Sequence, residues 1–238
     1  MIRVLGLGSA GVATERFDDH SDIDFFLVVD SEEAKRRYLD DIGWLGGFGG
    51  ELAWSFVNSV DGRKALLADG LFLEYAVFTS DELPGIPFVG ARVAWSREGW
   101  ELPRGRVPGP PALDSPAFHV DEALSNLFVG LHRELRGERL TAMRFIQVFA
   151  VDHLLALERL SPATSRVLPD SFEPTRRIER SSSATPLPLA EMAQGYAANA
   201  GSAAAVLGWL TAHHPCDPAI VGPVRELIAT ASGSEDRS

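Results

Sequence analysis

Cysteine is nearly missing: the 238 residues contain one, Cys216. A single thiol excludes an internal disulfide framework and any cysteine-based zinc cluster, and makes the cytoplasm the default expectation. Positive charge is also scarce. The formal net charge is −11, with 22 Lys and Arg against 33 Asp and Glu, and only two of the 22 are lysines, Lys35 and Lys64. Such a balance argues against broad electrostatic binding to nucleic acid or an anionic membrane, and suits a cationic small substrate. Long apolar runs are absent as well. No uninterrupted stretch approaches the roughly 18 residues of a membrane-spanning helix. The opening MIRVLGLGSAGVA is too brief and glycine-broken for a secretory signal, with acids soon after. No solenoid-period repeat or low-complexity segment is present.

What is there begins with the first thirty residues. IRVLGL is an apolar run ending in glycine, which suits a buried strand feeding a tight turn. SDIDFFLVV reads as a second strand, yet Asp22 and Asp24 are out of character, because Asp is disfavoured in pleated sheet. Residues two apart on a strand project from the same face, so the two carboxylates stand close enough to repel. A divalent cation such as Mg²⁺ is the natural compensation.

The following segment predicts a compact α/β unit. SEEAKRRYLDDIGWL is a helix with Ser31 as N-cap and acids in its first turn, broken by the glycines from Gly46 onward. ELAWSFVN, KALLAD and LFLEYAVF are strand candidates, the first two joined by a turn containing Asp61-Gly62. Residues 83–116 are rich in proline and glycine and read as cover and connection, with room for a further strand over 88–95. Beyond His119 the apolar spacing becomes helical, in VDEALSNLFVGLHREL, in ERLTAMRFIQVFAVDHLLALERL, in LAEMAQGYAANAGSAAAVLGWLTAHH and in VGPVRELIATA. The expected organisation is an α/β domain over residues 1–116, then a helical bundle over 117–238.

Gly6, Gly8 and Gly11 form a literal G-x-G-x-x-G after a strand, the pattern of a dinucleotide-binding turn. That turn must run into a helix with an apolar face, whereas VATERFDDHS is short and acidic. A Rossmann-type oxidoreductase is therefore an alternative that leaves Asp22 and Asp24 unexplained.

An apolar strand, Gly8-Ser9, a loop of about a dozen residues and Asp22-x-Asp24 on a second strand together resemble the nucleotidyltransferase superfamily that includes DNA polymerase beta. LFLEYAVF supplies the third carboxylate of that family, since Glu74 is the only acid within it. The resemblance implies a nucleotidyltransferase-type mixed β-sheet with flanking helices, followed by a helical domain. It is nearest in domain order to the lincosamide and aminoglycoside nucleotidyltransferases. It implies that Asp22 and Asp24 hold Mg²⁺ against the phosphates of ATP or another NTP, that Gly8 and Ser9 grip the terminal phosphates, and that Glu74 completes the metal set or takes the proton of an acceptor hydroxyl. The family carries a helix before its first strand. Here the strand starts at Arg3, which is expected to leave one sheet face exposed.

In-line phosphoryl chemistry requires neutralised phosphate oxygens, and carboxylate-held hard cations supply that. Arginine forks suit triphosphate, and Arg136 and Arg144 are the candidates from the helical half. The competing reading pairs arginines with neighbouring glutamates on solvated helix faces. Asp18, Asp19 and His20 read as solvated turn chemistry, and His132, His153, His213 and His214 as structural or exposed. Glu51, Trp54 and Trp95 are conceivable cleft residues. The expected activity is transfer of AMP from ATP to a hydroxyl of a small molecule, with an aminoglycoside- or lincosamide-like antibiotic as acceptor, hence a resistance enzyme, without nucleic-acid or membrane partners. A homodimer is among the assemblies this reading admits. Two further alternatives keep the same acids: a protein of this fold that modifies a protein partner or acts as an antitoxin, and a non-catalytic nucleotide-binding module.

Overall fold

A computed structural model describes residues 2–12, 14–96, 100–103, 105, 113–165, 170, 173, 175–181, 183 and 185–235. Parts of the proline-rich stretch, of the polar break after residue 165 and of the C-terminal tail lie outside them. The chain divides into two compact units, Met1–Pro108 and Gly109–Ser238. The boundary read from the sequence falls at the first residue of the opening helix of the second unit.

The first unit is a mixed sheet of six strands: β1 Ile2–Gly6, β2 Ile23–Val29, β3 Leu52–Val57, β4 Gly62–Leu67, β5 Phe72–Thr79 and β6 Arg92–Trp95, in spatial order β3-β4-β5-β2-β1-β6. Only β2 and β5 run parallel; the other neighbours are antiparallel. This is the mixed α/β architecture expected, with a sixth strand realised as a short edge. It excludes the Rossmann alternative, because β1 returns antiparallel to β2 through short 3₁₀ turns instead of crossing over through a helix.

Alternation along the strands separates two faces. One carries Phe25, Leu27, Val29, Ala65, Leu67, Leu73, Tyr75 and Val77, and packs with Tyr38, Leu39 and Trp44. Those partners come from helix α1 (Glu32–Asp40) and the 3₁₀ turn Gly43–Phe48. Ser31 caps α1, accepting a hydrogen bond from the Ala34 amide at 3.2 Å. The helix stops at Asp41 rather than running to Leu45, since Ile42 and the glycines that follow favour the tighter turn. The other face carries Leu5, Phe26 and Val28, and toward β1 it is covered by Leu83, Phe88, Ala91, Trp100 and Leu102. That part of the face, expected to be exposed, is thus covered by these five side chains. Toward β3 the same face holds polar and exposed residues.

The second unit is helical: α2 Pro116–Leu135, α3 Arg139–Met143, α4 Ala150–Leu160, α5 Leu189–Met192, α6 Asn199–His213 and α7 Pro218–Glu235. A π turn, Arg144–Phe149, joins α3 to α4 without a break. The run Arg139–Leu160, 22 residues, is long and apolar enough by composition to cross a membrane. Its Ile146, Ala150, Leu154 and Leu157 are instead spent in the core of this unit, against Leu124, Leu127, Ala203 and Val206. Gly195, at φ 100°, divides the segment read from sequence as one long helix into α5 and α6. Gln147, in the π turn, donates to Asn199 Oδ1 at 2.7 Å and to the Gly195 carbonyl at 2.8 Å, and accepts from the Gly195 amide at 2.8 Å. Asn199 donates onward to Glu134 Oε2 at 2.7 Å. Such a satisfied buried network fixes the register of α2, the π turn and α6 against one another.

Candidate active site

The parallel pairing of β2 with β5 sets Asp24 directly beside Glu74, and the β4–β5 hairpin sets Lys64 on the other side of Glu74. Register partners share a face. Asp24, Glu74 and Lys64 therefore form one row across three strands, on the face left open toward β3. Asp24 and Glu74 line a cleft of about 280 Å³ together with Leu7, Phe26, Asn58, Ser59 and Ala76.

Within the row Lys64 Nζ lies 2.7 Å from Glu74 Oε2, and Asn58 Nδ2 donates to Glu74 Oε1 at 3.1 Å. Both Glu74 oxygens thus carry a donor. The Lys64 ammonium is held above the ordinary lysine range, first by its hydrogen bond to Glu74, with slight burial opposing, and then by the charges of Glu74, Asp24 and Asp22 in that order. Asp22 sits one residue before β2, half-buried. All three acids singled out in the sequence act on one ammonium, and that ammonium is a residue the sequence reading passed over. Its signal was available only as rarity, one of two lysines, because the pairing of β4 with β5 had no local trace.

The glycine pattern is explained by packing. Gly8 has φ 52°, and a Cβ there would lie 3.1 Å from Asp24 Oδ2. A Cβ on Gly6 would stand 2.3 Å from the Ala10 carbonyl oxygen, and one on Gly11 2.3 Å from that of Gly90. The amide of Leu7 donates to the Asp24 carbonyl at 2.8 Å, and Arg92 ties the turn to β6 through the carbonyls of Ala10 and Gly11. The turn is folded tightly over the start of β2, leaving Gly8 beside Asp24. Ser9 lines a separate pocket of about 430 Å³ with Val4, Phe17, Phe25, Phe48 and Arg92, on the sheet's helix-covered side. Asp18 and Ser21 close a local turn with each other and with the His20 amide, as read from the sequence.

Among the described residues no group of three or more His, Cys, Asp and Glu is gathered closely enough to hold a metal ion alone. The donor set nevertheless fits Mg²⁺, which takes one or two carboxylates and completes its shell with water and substrate phosphate. Asp22 and Asp24, two apart at the start of β2, are the carboxylates available for such a pair.

In the second unit Arg136 is the exposed C-cap of α2, and Arg144 is exposed, with its guanidinium 5.5 Å from the Phe149 ring centroid. Arg133 follows the solvated-face reading, pairing with Glu138 at 3.0 Å, whereas Arg139 pairs at 3.3 Å with Glu134, which is buried. Glu51 and Trp95 are exposed, the latter on edge strand β6.

No protein-family model matches the chain, and no curated protein matches it. Among solved structures, the chain is similar to an aminoglycoside 6-adenyltransferase from Bacillus subtilis, at 14% identity over 96% of this chain and 85% of that one, with a TM-score of 0.35. A likeness of that degree says nothing about chemistry. The functional reading rests on the residues themselves.

Proposed function

We propose that the first unit is a nucleotidyltransferase site that moves AMP, or another NMP, from ATP or another NTP to a hydroxyl of a small molecule. The observation that carries this reading is the single row of Asp24, Glu74 and Lys64, with Gly8 folded against Asp24 and Asp22 acting on the same ammonium. Three carboxylates on one sheet face repel unless cations join them, and polyphosphate chemistry brings its own.

In this reading Asp22 and Asp24 hold Mg²⁺, which when bound neutralises charge on the phosphate oxygens. Gly8 keeps the space above Asp24 free of side chain, so that phosphate approaches the turn closely. The acceptor hydroxyl oxygen bonds to the α-phosphorus while the bond to the β-phosphate oxygen breaks, and pyrophosphate leaves. Glu74 takes the hydroxyl proton, which requires Lys64 or Asn58 to release one of its oxygens. Lys64 then faces the developing negative charge instead. An antibiotic of aminoglycoside or lincosamide type, and hence a role in resistance, is the acceptor class proposed from the family resemblance.

The test is incubation with α-labelled ATP, Mg²⁺ and a panel of aminoglycosides and lincosamides, comparing the native chain with Asp24→Asn. Expected are a labelled small-molecule product and pyrophosphate from the native chain, with a loss of at least about a hundredfold in the variant. Label on a protein instead would transfer the reading to the protein-modifying alternative. An absence of both ATP binding and transfer would sink it.

A further inference from the structure

The row of site residues does not end at Lys64. In the β3–β4 pairing Lys64 lies opposite Phe56, so Phe56 continues the same row on the same face, and Trp54 packs beside it with ring centroids 5.0 Å apart. Both rings are open to solvent, Trp54 at 48% and Phe56 at 43% exposure. Two large adjacent aromatics left exposed on the edge of a polar site are an unusual use of apolar area, of the kind that marks a binding surface. Their place on β3 follows from alternation: Ser55, between them, points to the other side and accepts a hydrogen bond from Arg63 at 3.0 Å.

We propose that Trp54 and Phe56 are the platform on which the acceptor lies, and that they set its size and character. This rests on the nucleotidyl-transfer reading of the acids. Neighbouring strands are spaced about 4.8 Å apart, so two spacings, about 10 Å, separate the Phe56 and Glu74 positions. A molecule stacked on the rings and presenting a hydroxyl at Glu74 must span that distance, which is the length of a two-ring compound. Its middle passes over Lys64. An ammonium group there would be repelled, whereas ring oxygens or hydroxyls would accept hydrogen bonds from the lysine. Recognition is by packing of an apolar ring face, saturated or aromatic, on the two side chains, with an oxygen-rich part directed to the acids.

The experiment is calorimetry on the full chain with Mg²⁺ and a non-hydrolysable ATP analogue, titrating lincomycin, a two-ring compound with one amine, and separately kanamycin, a polyamine. Native protein is compared with Trp54→Ala, Phe56→Ala and Phe56→Tyr, and the mass of each in solution is measured by light scattering. Expected is lincomycin binding that weakens at least tenfold in each alanine variant, is kept in Phe56→Tyr, and exceeds kanamycin binding, with affinity for the ATP analogue unchanged throughout. Equal binding by native and alanine variants overturns the platform, as does failure of native protein to bind lincomycin or a preference for kanamycin. A dimer that the alanine variants dissolve also overturns it, showing the rings to be covered by a second copy. Failure to bind the ATP analogue would instead strike the nucleotidyl-transfer reading, and is read independently of the rings.

Discussion

Lys64 and Glu74 face each other across β4 and β5, ammonium to carboxylate at 2.7 Å, in a row that Asp24 continues on one side and Phe56 on the other. An internal cation among carboxylates competes with any metal for the same field. Lys64→Met is therefore expected to tighten Mn²⁺ binding by roughly three- to tenfold, measured by electron paramagnetic resonance, because an opposing charge at partly exposed range is removed. The same variant is expected to lower kcat by about tenfold or more, since the carboxylate loses the donor that orients it. Tighter metal with unchanged kcat would leave Lys64 without a catalytic part.

Gly8 and Gly11 belong to one sequence pattern but answer to different neighbours. Gly8→Ala places a methyl 3.1 Å from Asp24 Oδ2 at a left-handed φ of 52°, costing about 1–2 kcal/mol of stability, and is expected to reduce transfer and Mn²⁺ affinity out of proportion to that cost. Gly11→Ala drives a methyl to 2.3 Å from the Gly90 carbonyl, where only backbone can yield. Its expected signature is the reverse, a larger fall in the urea midpoint of the first unit. Equal effects of the two on both measurements would deny Gly8 any place in the site.

The other lysine is structural. Lys35 Nζ, buried on α1, lies 2.7 Å from Asp61 Oδ1 and 2.6 Å from Glu82 Oε1. Burial works against its charge, yet the hydrogen bonds to Asp61 and Glu82 outweigh burial and raise its pKa. Burial likewise opposes the Glu82 charge, and Lys35 and Thr79 overcome it to leave Glu82 lowered. A raised lysine stabilises fully below its unfolded value, about 10.4, and loses that contribution as pH rises through the higher folded value. A lowered glutamate stabilises fully above about 4.3 and loses its share as pH falls through the lower folded value. Lys35→Met should cost the first unit about 1–3 kcal/mol in urea at neutral pH, allowing for the partly exposed acids, and should flatten both limbs of its stability profile.

A histidine pair sets a different pH response in the helical unit. His119 Nδ1 and His153 Nδ1 are 2.9 Å apart, His119 Nε2 lies 3.0 Å from Asp114 Oδ1, and Arg159 also pairs with Asp114. His153 Nε2 lies 4.0 Å from Glu122. Burial first, then His119, hold His153 below the usual imidazole range, with Glu122 opposing. The unfolded chain thus takes up this proton first as pH falls, so the contribution is full above about 6.5 and is lost as pH falls through the lower folded value. His153→Gln is expected to flatten the slope of the helical unit's urea midpoint between pH 5 and 7. An unchanged slope would remove His153 from the pH response.

What was legible in the sequence was what depends on neighbours along the chain. Ser31 as cap, the alternation of LFLEYAVF, the two acids ahead of FFLVV and the helical spacing after His119 all report local geometry, and each stands in the structure. Lys64 beside Glu74 and His119 beside His153 were hidden, because strand pairing and helix packing create those contacts between residues 10 and 34 positions apart. The dinucleotide pattern misled for a related reason. Its glycines are required by the carbonyls of Ala10 and Gly90 and by Asp24, none of which the pattern itself encodes.

The parallel pairing of β2 with β5 has a consequence for how such a protein changes over time. The acids Asp24 and Glu74 ride on the central strand pair, whereas Lys64, Phe56 and Trp54 ride on the β3–β4 hairpin, which falls between those strands in the chain but beyond β5 at the edge of the sheet. Altered residues, or altered length, in the hairpin's solvent-facing half leave the Asp24–Glu74 register untouched, because that register is fixed by the buried neighbours Phe25, Leu27, Tyr75 and Val77. The hairpin also carries Lys64 and Asn58, both bonded to Glu74, so Trp54 and Phe56 are the positions that can vary without touching the proposed chemistry. Under the proposed reading, those two positions are the ones to exchange when a new acceptor is sought.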